Sequence, residues 1–306
     1  MKIAIVGAGA MGSLFGALLS EAGNDVWLYD VWPEHIHTVT RRGLSVERET
    51  KTRIVKLNAT INSSDIGHAE LVIIFVKSTQ TGPASETARD LAGPDGSVMT
   101  LQNGMGNADA ISEFIEPARI LAGTTSHGAT MLAAGSIRHA GIGPTTIGVW
   151  AKTGADFENA RRVAQFFTRA GIETEAVEDV HSVVWNKLLI NIGINAITAL
   201  TAIKNGQLID LESTRDLSRA AVEEAMSVAR ALGIEINEDA VDHVFKVAQA
   251  TAVNRSSMGQ DADNRRQTEI SAINGYIVRE ADKLGIDAPV NQTLTALVET
   301  LQYHYE

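Results

Sequence analysis

The stretch KIAIVGAGAMG, residues 2–12, decides the fold of the first half of this chain. Its apolar run Lys2–Val6 is typical of a buried strand, and a helical pattern begins at Ala10. Between them stands G-x-G-x-x-G, whose glycines allow a tight turn, close approach of a pyrophosphate and close helix–strand packing. The alternative is a tight turn without a ligand. We predict that a dinucleotide binds at Gly7, Gly9, Ala10, Met11 and Gly12.

The same stretch has a second interpretation, because its basic start and the apolar run 3–19 resemble a signal peptide. The polar residues that follow, Glu21, Asn24 and Asp25, do not form a clear cleavage site. The nucleotide-binding turn is therefore favoured. No other stretch is expected to supply the roughly 20 apolar residues of a membrane span.

Composition limits the classes of protein to which this chain can belong. Its 306 residues fit two domains better than one. A net charge of −11 argues against a nucleic-acid binder and against binding to an anionic membrane surface. The absence of cysteine excludes disulfides and thiolate chemistry, and it fits a cytoplasmic location. No metal is expected, because the pair His35 and His37 has no third ligand at a suggestive spacing.

Downstream of the glycine turn, apolar strands alternate with helical stretches. We predict strands at 25–30, 71–77, 97–103 and 120–125, and helices at 10–22, 79–91 and 108–114. Such alternation is typical of a parallel sheet covered by helices on both faces. Short β-like runs over 129–149 predict antiparallel strands that extend this sheet. A helix at 156–170 and a strand at 173–177 complete the first half.

After residue 178 the pattern becomes almost wholly helical. The predicted helical runs are 180–202, 211–232, 238–258, 262–285 and 290–304. Gly233 and Gly285 stand where helices are expected to stop. We therefore predict two domains. Residues 1–177 form a doubly wound Rossmann domain with a mostly parallel sheet and an antiparallel extension, and residues 178–306 form an all-helical domain.

The helical half opens on DVHSVVWNKLLINIGINAITALT, residues 179–201, most of which suits a buried helix. Lys187, Asn191 and Asn195 recur every four residues, so they lie on one face of that helix. An ammonium and two amides are costly to bury on an apolar face unless something binds them. A substrate is one such partner. The alternatives are that Lys187 reaches water and that the asparagines bond across a helix interface.

Asp30 ends the second predicted strand, 18 residues after Gly12. An acidic residue at that place holds the adenosine ribose hydroxyls and repels a 2′-phosphate, so it favours NADH over NADPH. The alternative is that Asp30 only caps the turn before Pro33. Arg41 and Arg42 are the basic residues that a 2′-phosphate would need, but they lie far along the chain.

Several segments together resemble the ketopantoate reductase family. They are KIAIVGAGAMG, LQNGMGN (101–107), WNKLLINIGINAITAL (185–200), KNG (204–206) and SSMGQDADNRRQTEISAINGYIV (256–278). The resemblance spans essentially the whole chain. It implies a Rossmann domain followed by an all-α domain of the 6-phosphogluconate-dehydrogenase-like type. It also implies NADPH-dependent reduction of 2-dehydropantoate to (R)-pantoate, a step of pantothenate and coenzyme A synthesis.

The resemblance also assigns roles to individual residues. Lys187 is implied as the catalytic lysine, Glu269 as its acidic partner, and Asn103 as the asparagine near the nicotinamide. The implied substrate-binding residues are Asn191, Asn195, Asn205 and Ser257, and the further cofactor contacts are Lys77 and Ala129. Each has a structural alternative: Glu269 pairs with nearby arginines, Ser257 caps a helix, Lys77 ends a strand, and Asn103 belongs to a turn.

The implied chemistry suits these residue types. Reduction of a 2-keto acid needs a hydride, which the cofactor supplies, and a proton on the carbonyl oxygen. A lysine ammonium stabilises the growing negative charge and then donates its proton. Burial lowers the pKa of Lys187, whereas a carboxylate such as Glu269 raises it. The asparagines and Ser257 would bind the substrate through neutral hydrogen bonds. The reaction is expected in the cleft between the two domains.

One departure leaves the cofactor open between NADPH and NADH. Family members commonly carry a basic residue where this chain has Asp30. A rival function is therefore NADH-dependent D-2-hydroxyacid dehydrogenase activity on other 2-keto acids. A rival from another class is a non-catalytic dinucleotide-binding sensor, because fold does not fix function. The sequence is compatible with a monomer or a homodimer.

Overall fold

The computed structural model describes residues 1–151 and 157–305. Its contacts divide the chain into two units. Unit 1 contains Met1–Gln102 and Asn107–Val180, and unit 2 contains Asn103–Gly106 and the chain from His181 onward. The domain boundary at residue 177 stays a prediction. The assignment of Asn103–Gly106 to unit 2 was not anticipated from the sequence.

Unit 1 alternates strands with helices, as predicted. Its described strands are β1 (Lys2–Val6), β2 (Asp25–Tyr29), β3 (Leu44–Arg48), β4 (Lys51–Val55), β5 (Asn58–Thr60), β6 (Leu71–Ile74), β7 (Ser97–Thr100), β8 (Ile120–Thr125), β9 (Gly128–Ala133), β10 (Ser136–Gly141), β11 (Thr145–Val149) and β12 (Thr174–Ala176). Its described helices are α1 (Ala10–Glu21), α2 (Pro33–Arg42), α3 (Thr81–Ala92), α4 (Asn107–Ser112) and α5 (Phe157–Arg169). Asp156, the predicted first residue of the last of these helices, lies outside the described residues.

The main sheet of unit 1 has the spatial order β12-β11-β8-β7-β6-β1-β2-β5. Parallel pairing joins the spatial neighbours β5-β2-β1-β6-β7-β8, whereas β11 pairs antiparallel to β8. The chain leaves β1 toward β2 on one side and returns to β6 on the other. Ligands of open α/β sheets bind at such a switch point, outside the carboxyl ends of the strands. The predicted Rossmann-type architecture is confirmed.

The antiparallel extension is only partly as predicted, and this part of the prediction is corrected. Within 129–149 only β11 joins the main sheet. The strands β9 and β10 belong to a separate four-stranded sheet of order β4-β3-β10-β9, in which β10 pairs in parallel with β3. Residues 44–55, which supply β3 and β4, were not predicted as strands. A periodic run alone does not tell which sheet a strand joins, because that choice is made by distant pairing.

Two strands of the main sheet end earlier than predicted. The strand β6 ends at Ile74 rather than at 77, and β7 ends at Thr100 rather than at 103. The Thr100 hydroxyl accepts the Gln102 N–H at 3.2 Å, and the Gln102 amide donates to the Val76 carbonyl at 2.7 Å. Side chains therefore take over the backbone groups that a longer strand would pair, and they shape the loops that follow both strands.

Unit 2 is helical, as predicted. The helices are α6 (Val180–Thr201), whose first residue belongs to unit 1, α7 (Glu212–Ala231), α8 (Ala240–Ala250), α9 (Ser257–Asp263), α10 (Asn274–Leu284) and α11 (Pro289–Tyr303). Among the described residues, α6 alone is long and apolar enough to cross a membrane, which corrects the expectation of no such stretch. Because 61% of its most apolar window is buried inside the protein, α6 also fits a core helix.

Two of the predicted helical runs are broken, and this corrects them. The run 238–258 stops at Ala250, and a new helix starts only after Ser256, whose hydroxyl accepts the Gly259 N–H as an N-cap. The run 262–285 is interrupted between α9 and α10, where Arg265 has a positive φ of 52°. These breaks place Glu269 on an irregular connection rather than on a helix.

Candidate active site

Close backbone approach explains two glycines of the predicted nucleotide turn. Gly7 has φ +100°, and a Cβ there would lie 2.7 Å from the Val76 nitrogen. A Cβ on Gly12 would lie 2.0 Å from the Gly7 carbonyl oxygen. A Cβ on Gly9 would meet no atom within 4 Å. Any side chain at positions 7 or 12 is therefore excluded, and Gly9 leaves an open face that a ligand can approach.

The start of α1 adds hydrogen-bond donors beside that open face. The first N–H of the helix that bonds back is that of Ser13, which donates to the Gly9 carbonyl at 2.9 Å. The N–H groups of Ala10, Met11 and Gly12 belong to the first turn, where no earlier helical carbonyl is available. Together with the helix dipole they favour an anion such as a pyrophosphate.

A groove of about 270 Å³ lies at the carboxyl ends of β1 and β6. This is the switch point of the main sheet. Its lining includes Gly7, Tyr29, Asp30, Val31, Thr79 and Pro83. The apolar walls, the glycine turn and one carboxylate suit the adenosine half of a dinucleotide, so the residues present fit such a cofactor.

Asp30 has a structural role as well as a place in the groove. Its Oδ1 accepts the Trp32 N–H at 2.9 Å, and its Oδ2 accepts the Ala8 N–H at 2.7 Å. The cap of the following turn is therefore present, and the carboxylate also fixes the glycine turn. Each carboxylate oxygen has a second acceptor position, so these bonds leave capacity for a ribose hydroxyl.

The structure separates the two remaining cofactor candidates. Lys77 is exposed and precedes a 3-10 turn, Ser78–Gln80, whose Thr79 lines the groove. Ala129 lies in β9 of the second sheet, where it pairs in register with His139. It is not among the residues that line the groove. Its role as a cofactor contact stays a prediction.

In unit 2 the predicted polar stripe lies on one helix, α6. Lys187 and Asn191 are half-buried, and Asn195 is buried with 5% exposure. The Asn195 Nδ2 has no hydrogen-bond partner within the described chain. An unsatisfied buried amide is costly, so this donor has capacity for a ligand, and a role of Asn195 in substrate binding stays a prediction.

Lys187 and Glu269 interact electrostatically. Glu269 is 8% exposed, which disfavours the surface ion pair that its neighbouring arginines suggested. Lys187 keeps some exposed surface, yet enough protein surrounds its amine that loss of hydration lowers its pKa to about 8. The Glu269 carboxylate opposes this shift and raises that pKa. The amine is thus a much stronger acid than an exposed lysine.

The segment Asn103–Gly106 packs against the turn that follows Glu269. The Met105 N–H donates to the Ala272 carbonyl at 2.8 Å. Gly104 has φ +81°, and a Cβ there would lie 2.5 Å from the same carbonyl oxygen. Ala272 in turn donates its N–H to the Glu269 carbonyl at 3.0 Å. The predicted residues Asn103 and Glu269 therefore lie on two adjoining turns.

The other two substrate candidates differ in burial. Asn205 is buried, its Nδ2 donates to the Thr251 hydroxyl at 3.0 Å, and its Oδ1 has no partner within the described chain. Ser257 is exposed. The capping role considered for Ser257 belongs instead to Ser256, whose hydroxyl lies 2.7 Å from that of Thr198 on α6. Ser257 therefore follows a residue that contacts α6, and its own hydroxyl does not form the N-cap.

Sequence reasoning missed the residues that hold these side chains in place. Thr251 orients the Asn205 amide, and nothing in its local pattern indicates that role. Arg255 donates to the carbonyls of Thr198 and Ile203, and it also pairs with Asp263. A basic residue between two apolar helical runs was the available hint. Thr251 and Arg255 both lie where the predicted helical run 238–258 is interrupted, and the sequence did not predict that interruption.

Comparison with known families agrees with the predicted resemblance. Residues 3–152 match the family described as Ketopantoate reductase PanE/ApbA, and residues 179–302 match Ketopantoate reductase PanE/ApbA C terminal. The chain is 37% identical to the 2-dehydropantoate 2-reductase of Halobacterium salinarum, over 99% of both chains. It is 34% identical to that of Vibrio cholerae, over 99% of this chain and 98% of the other. The family prediction is confirmed.

Solved structures extend the comparison to the fold. A ketopantoate reductase of the PanE/ApbA family from Ralstonia eutropha matches with a TM-score of 0.90 and 32% identity, over 100% of this chain and 99% of the other. D-mandelate dehydrogenase with NADH and anilino(oxo)acetate matches with a TM-score of 0.93 and 28% identity, over the same shares. The same architecture thus occurs in proteins that act on different substrates.

Proposed function

The chain belongs to the ketopantoate reductase family, and from that premise we propose that it reduces 2-dehydropantoate to (R)-pantoate with a nicotinamide dinucleotide. The observation that carries the proposal is the burial of the Lys187 amine beside Glu269: loss of hydration lowers the pKa of the amine to about 8, and the carboxylate opposes that shift. A proton donor of that acidity suits reduction of a carbonyl near neutral pH. A non-catalytic sensor has no use for it. Oxidation of NADH or NADPH by any 2-keto acid would dismiss the sensor.

When bound, the dinucleotide supplies the hydride. The chain supplies the position and the charges. The glycine turn and the first N–H groups of α1 hold the pyrophosphate, and the groove around Asp30 holds the adenosine half. The Lys187 ammonium stabilises negative charge on the substrate carbonyl oxygen and transfers its proton there. The Glu269 carboxylate keeps Lys187 charged until that transfer.

Neutral polar side chains of unit 2 complete substrate binding in this proposal. Asn191, Asn195 and Ser257 are neutral groups that bind the substrate carboxylate and hydroxyl, which leaves Lys187 as the main charge. The unsatisfied Asn195 Nδ2 is a donor and suits a carboxylate or keto oxygen. By the family resemblance, Asn103 lies beside the nicotinamide.

The orientation of the Asn205 amide indicates a hydroxyl on the substrate. The Thr251 hydroxyl donates its one hydrogen to the Val247 carbonyl at 2.7 Å. It can therefore only accept from Asn205, so the nitrogen of the amide faces Thr251 and the oxygen is left free. An acceptor at this place needs a donor on the ligand. 2-Dehydropantoate carries a primary hydroxyl, which 2-ketoisovalerate and benzoylformate lack.

We expect Asn205→Ala to lower kcat/KM for 2-dehydropantoate about 10- to 100-fold, because a buried hydrogen bond to the substrate is lost. The loss for 2-ketoisovalerate should be much smaller, and steady-state assays of the two substrates measure the difference. Thr251→Val should reproduce part of the selective loss, whereas Thr251→Ser keeps the hydroxyl and should not. Equal losses on both substrates would contradict the assigned role of Asn205.

The pH profile should report the acid form of Lys187. We expect kcat/KM to fall as the pH rises above about 8, because the ammonium exists below its pKa and is lost above it. Removing the charge in Glu269→Gln removes the effect that raises this pKa, so the alkaline limb should move to lower pH. The exposed Glu299→Gln is the matched control. If the alkaline limb of Glu269→Gln stayed at the wild-type pH, Glu269 would not be the acidic partner of Lys187.

A second candidate function is NADH-dependent reduction of other 2-keto acids. Asp30 in the cofactor groove favours it, as does the similarity to D-mandelate dehydrogenase. Assays of 2-dehydropantoate, 2-ketoisovalerate and benzoylformate, each with NADH and with NADPH, distinguish the candidates. A clear preference for benzoylformate would replace the first proposal by the second. A homodimer and a cytoplasmic location stay predictions.

A further inference from the structure

His35 lies at the centre of a hydrogen-bond chain that the proposed reaction does not use. It is buried on α2 with no exposed surface. Its Nδ1 accepts the Gly135 N–H at 2.9 Å, and its Nε2 lies 3.2 Å from the Ser13 hydroxyl on α1. Gly135 lies in the turn between β9 and β10. The imidazole therefore joins two helices and the second sheet of unit 1.

The direction of each bond in this chain is determined. A backbone N–H can only donate, so the His35 Nδ1 is the acceptor and carries no proton. A neutral imidazole then has its proton on Nε2, which donates to the Ser13 hydroxyl. That hydroxyl donates onward to the Ala8 carbonyl at 2.8 Å. Every donor in the chain has one acceptor, and the chain ends inside the glycine turn.

The last bond sets the direction of a group that faces the ligand. In a trans peptide the carbonyl and the N–H point in opposite directions. Holding the Ala8 carbonyl toward Ser13 therefore aims the Gly9 N–H to the other side. On its other flank, Ala8 donates its own N–H to Asp30 at 2.7 Å. Two side chains thus fix both peptides around Ala8, next to the open face of Gly9.

We propose that neutral His35 is a positioning residue for dinucleotide binding, which acts through Ser13 to aim the Gly9 N–H at the pyrophosphate. The proposal rests on the dinucleotide half of the proposed function and on no particular keto acid. Protonation would place an N–H on Nδ1, opposite the Gly135 N–H at 2.9 Å. Two donors cannot share that contact, so the ring must move and the chain of bonds breaks.

The surroundings of His35 favour the neutral form. Burial lowers the pKa of the imidazole from 6.5, and the Asp30 carboxylate opposes that shift. Among the described residues, Asp30 is the charged group that acts on the ring. The other elements around it present the Trp32 indole, stacked at 5.2 Å, the Ser13 hydroxyl and the Gly135 amide. Acidification below pH 6.5 is therefore needed to charge the ring.

The test is the dissociation constant of ADP-ribose, which carries the pyrophosphate but takes no part in hydride transfer. Isothermal titration of the full chain, without any keto acid, measures it. Ser13→Ala should raise Kd about 3- to 10-fold, the effect of one lost hydrogen bond. Ser20→Ala is the matched control, because it removes a bond from the same helix to the Lys56 carbonyl. Its Kd should equal that of the wild type.

The pH dependence separates positioning from mere packing. As the pH falls below 6.5, the wild-type Kd should rise as His35 takes up its proton. In His35→Gln a side-chain amide can donate to Ser13 but does not titrate, so the rise should disappear. If thermal unfolding shows that Ser13→Ala is not folded, this pH profile alone tests whether His35 positions the glycine turn.

Two results would overturn the proposal: wild-type affinity in a folded Ser13→Ala, or an unchanged acidic rise in His35→Gln. Failure of the wild type to bind ADP-ribose at any pH would overturn both this proposal and the dinucleotide half of the proposed function. Normal binding without reduction of a keto acid would overturn only the proposed reaction.

Discussion

Lys187→Ala should lower kcat by about 10²–10⁴-fold, the range for lost acid–base catalysis. The proposed donor of the proton, which would also stabilise the developing oxyanion, is removed, whereas the groove proposed for the dinucleotide belongs to unit 1 and is untouched. Steady-state reduction of 2-dehydropantoate measures kcat, and titration with ADP-ribose measures the unchanged Kd. The expected result is a folded protein that binds the dinucleotide and barely turns over.

Two further variants sharpen this prediction. Lys187→Arg keeps the positive charge but cannot give up a proton near neutrality, because the guanidinium pKa lies above about 12. It should therefore recover substrate binding more than turnover. Lys246→Ala, which removes an exposed lysine from α8, should leave kcat unchanged. Near-wild-type turnover in Lys187→Ala would remove the proposed mechanism, since no other group was assigned the proton.

The parts of the site that could be predicted from the sequence are those fixed by local periodicity. The glycines at 7, 9 and 12 are spaced by the turn itself, and Lys187, Asn191 and Asn195 are spaced by the helix. Each set lies within one element, so its geometry does not depend on the rest of the chain. The architecture followed for the same reason, because alternating strands and helices have few ways to pack.

The parts that could not be predicted depend on contacts between distant residues. Glu269 lies in an irregular connection that the helical pattern concealed, and Asn103 is placed by the bond from Met105 to Ala272. The second sheet arises from pairing between β3 and β10, which are far apart in the chain. Local propensity is uninformative about such contacts, because tertiary packing overrides it. The family resemblance named Glu269 and Asn103 without explaining their placement.

Asp30→Asn should shift the ratio of kcat/KM for NADPH to that for NADH by about 10²–10³-fold toward NADPH. Two like charges about 4 Å apart repel by about 4 kcal/mol at an effective dielectric constant of about 20, so a carboxylate in this groove strongly disfavours a 2′-phosphate. The wild type should therefore prefer NADH. Assays with both cofactors measure the ratio. Asp25→Asn, which changes an exposed carboxylate on β2, the strand that precedes Asp30, is the matched control.

The variant also tests the structural role of the carboxylate. Asparagine keeps one acceptor for the N–H groups of Ala8 and Trp32 but presents a donor to the other, so affinity for both cofactors should fall somewhat. The ratio isolates the charge, because that shared loss cancels. If the wild type preferred NADPH, the role of Asp30 would be limited to stabilising the glycine turn. A basic side chain elsewhere in unit 1 would then have to bind the phosphate.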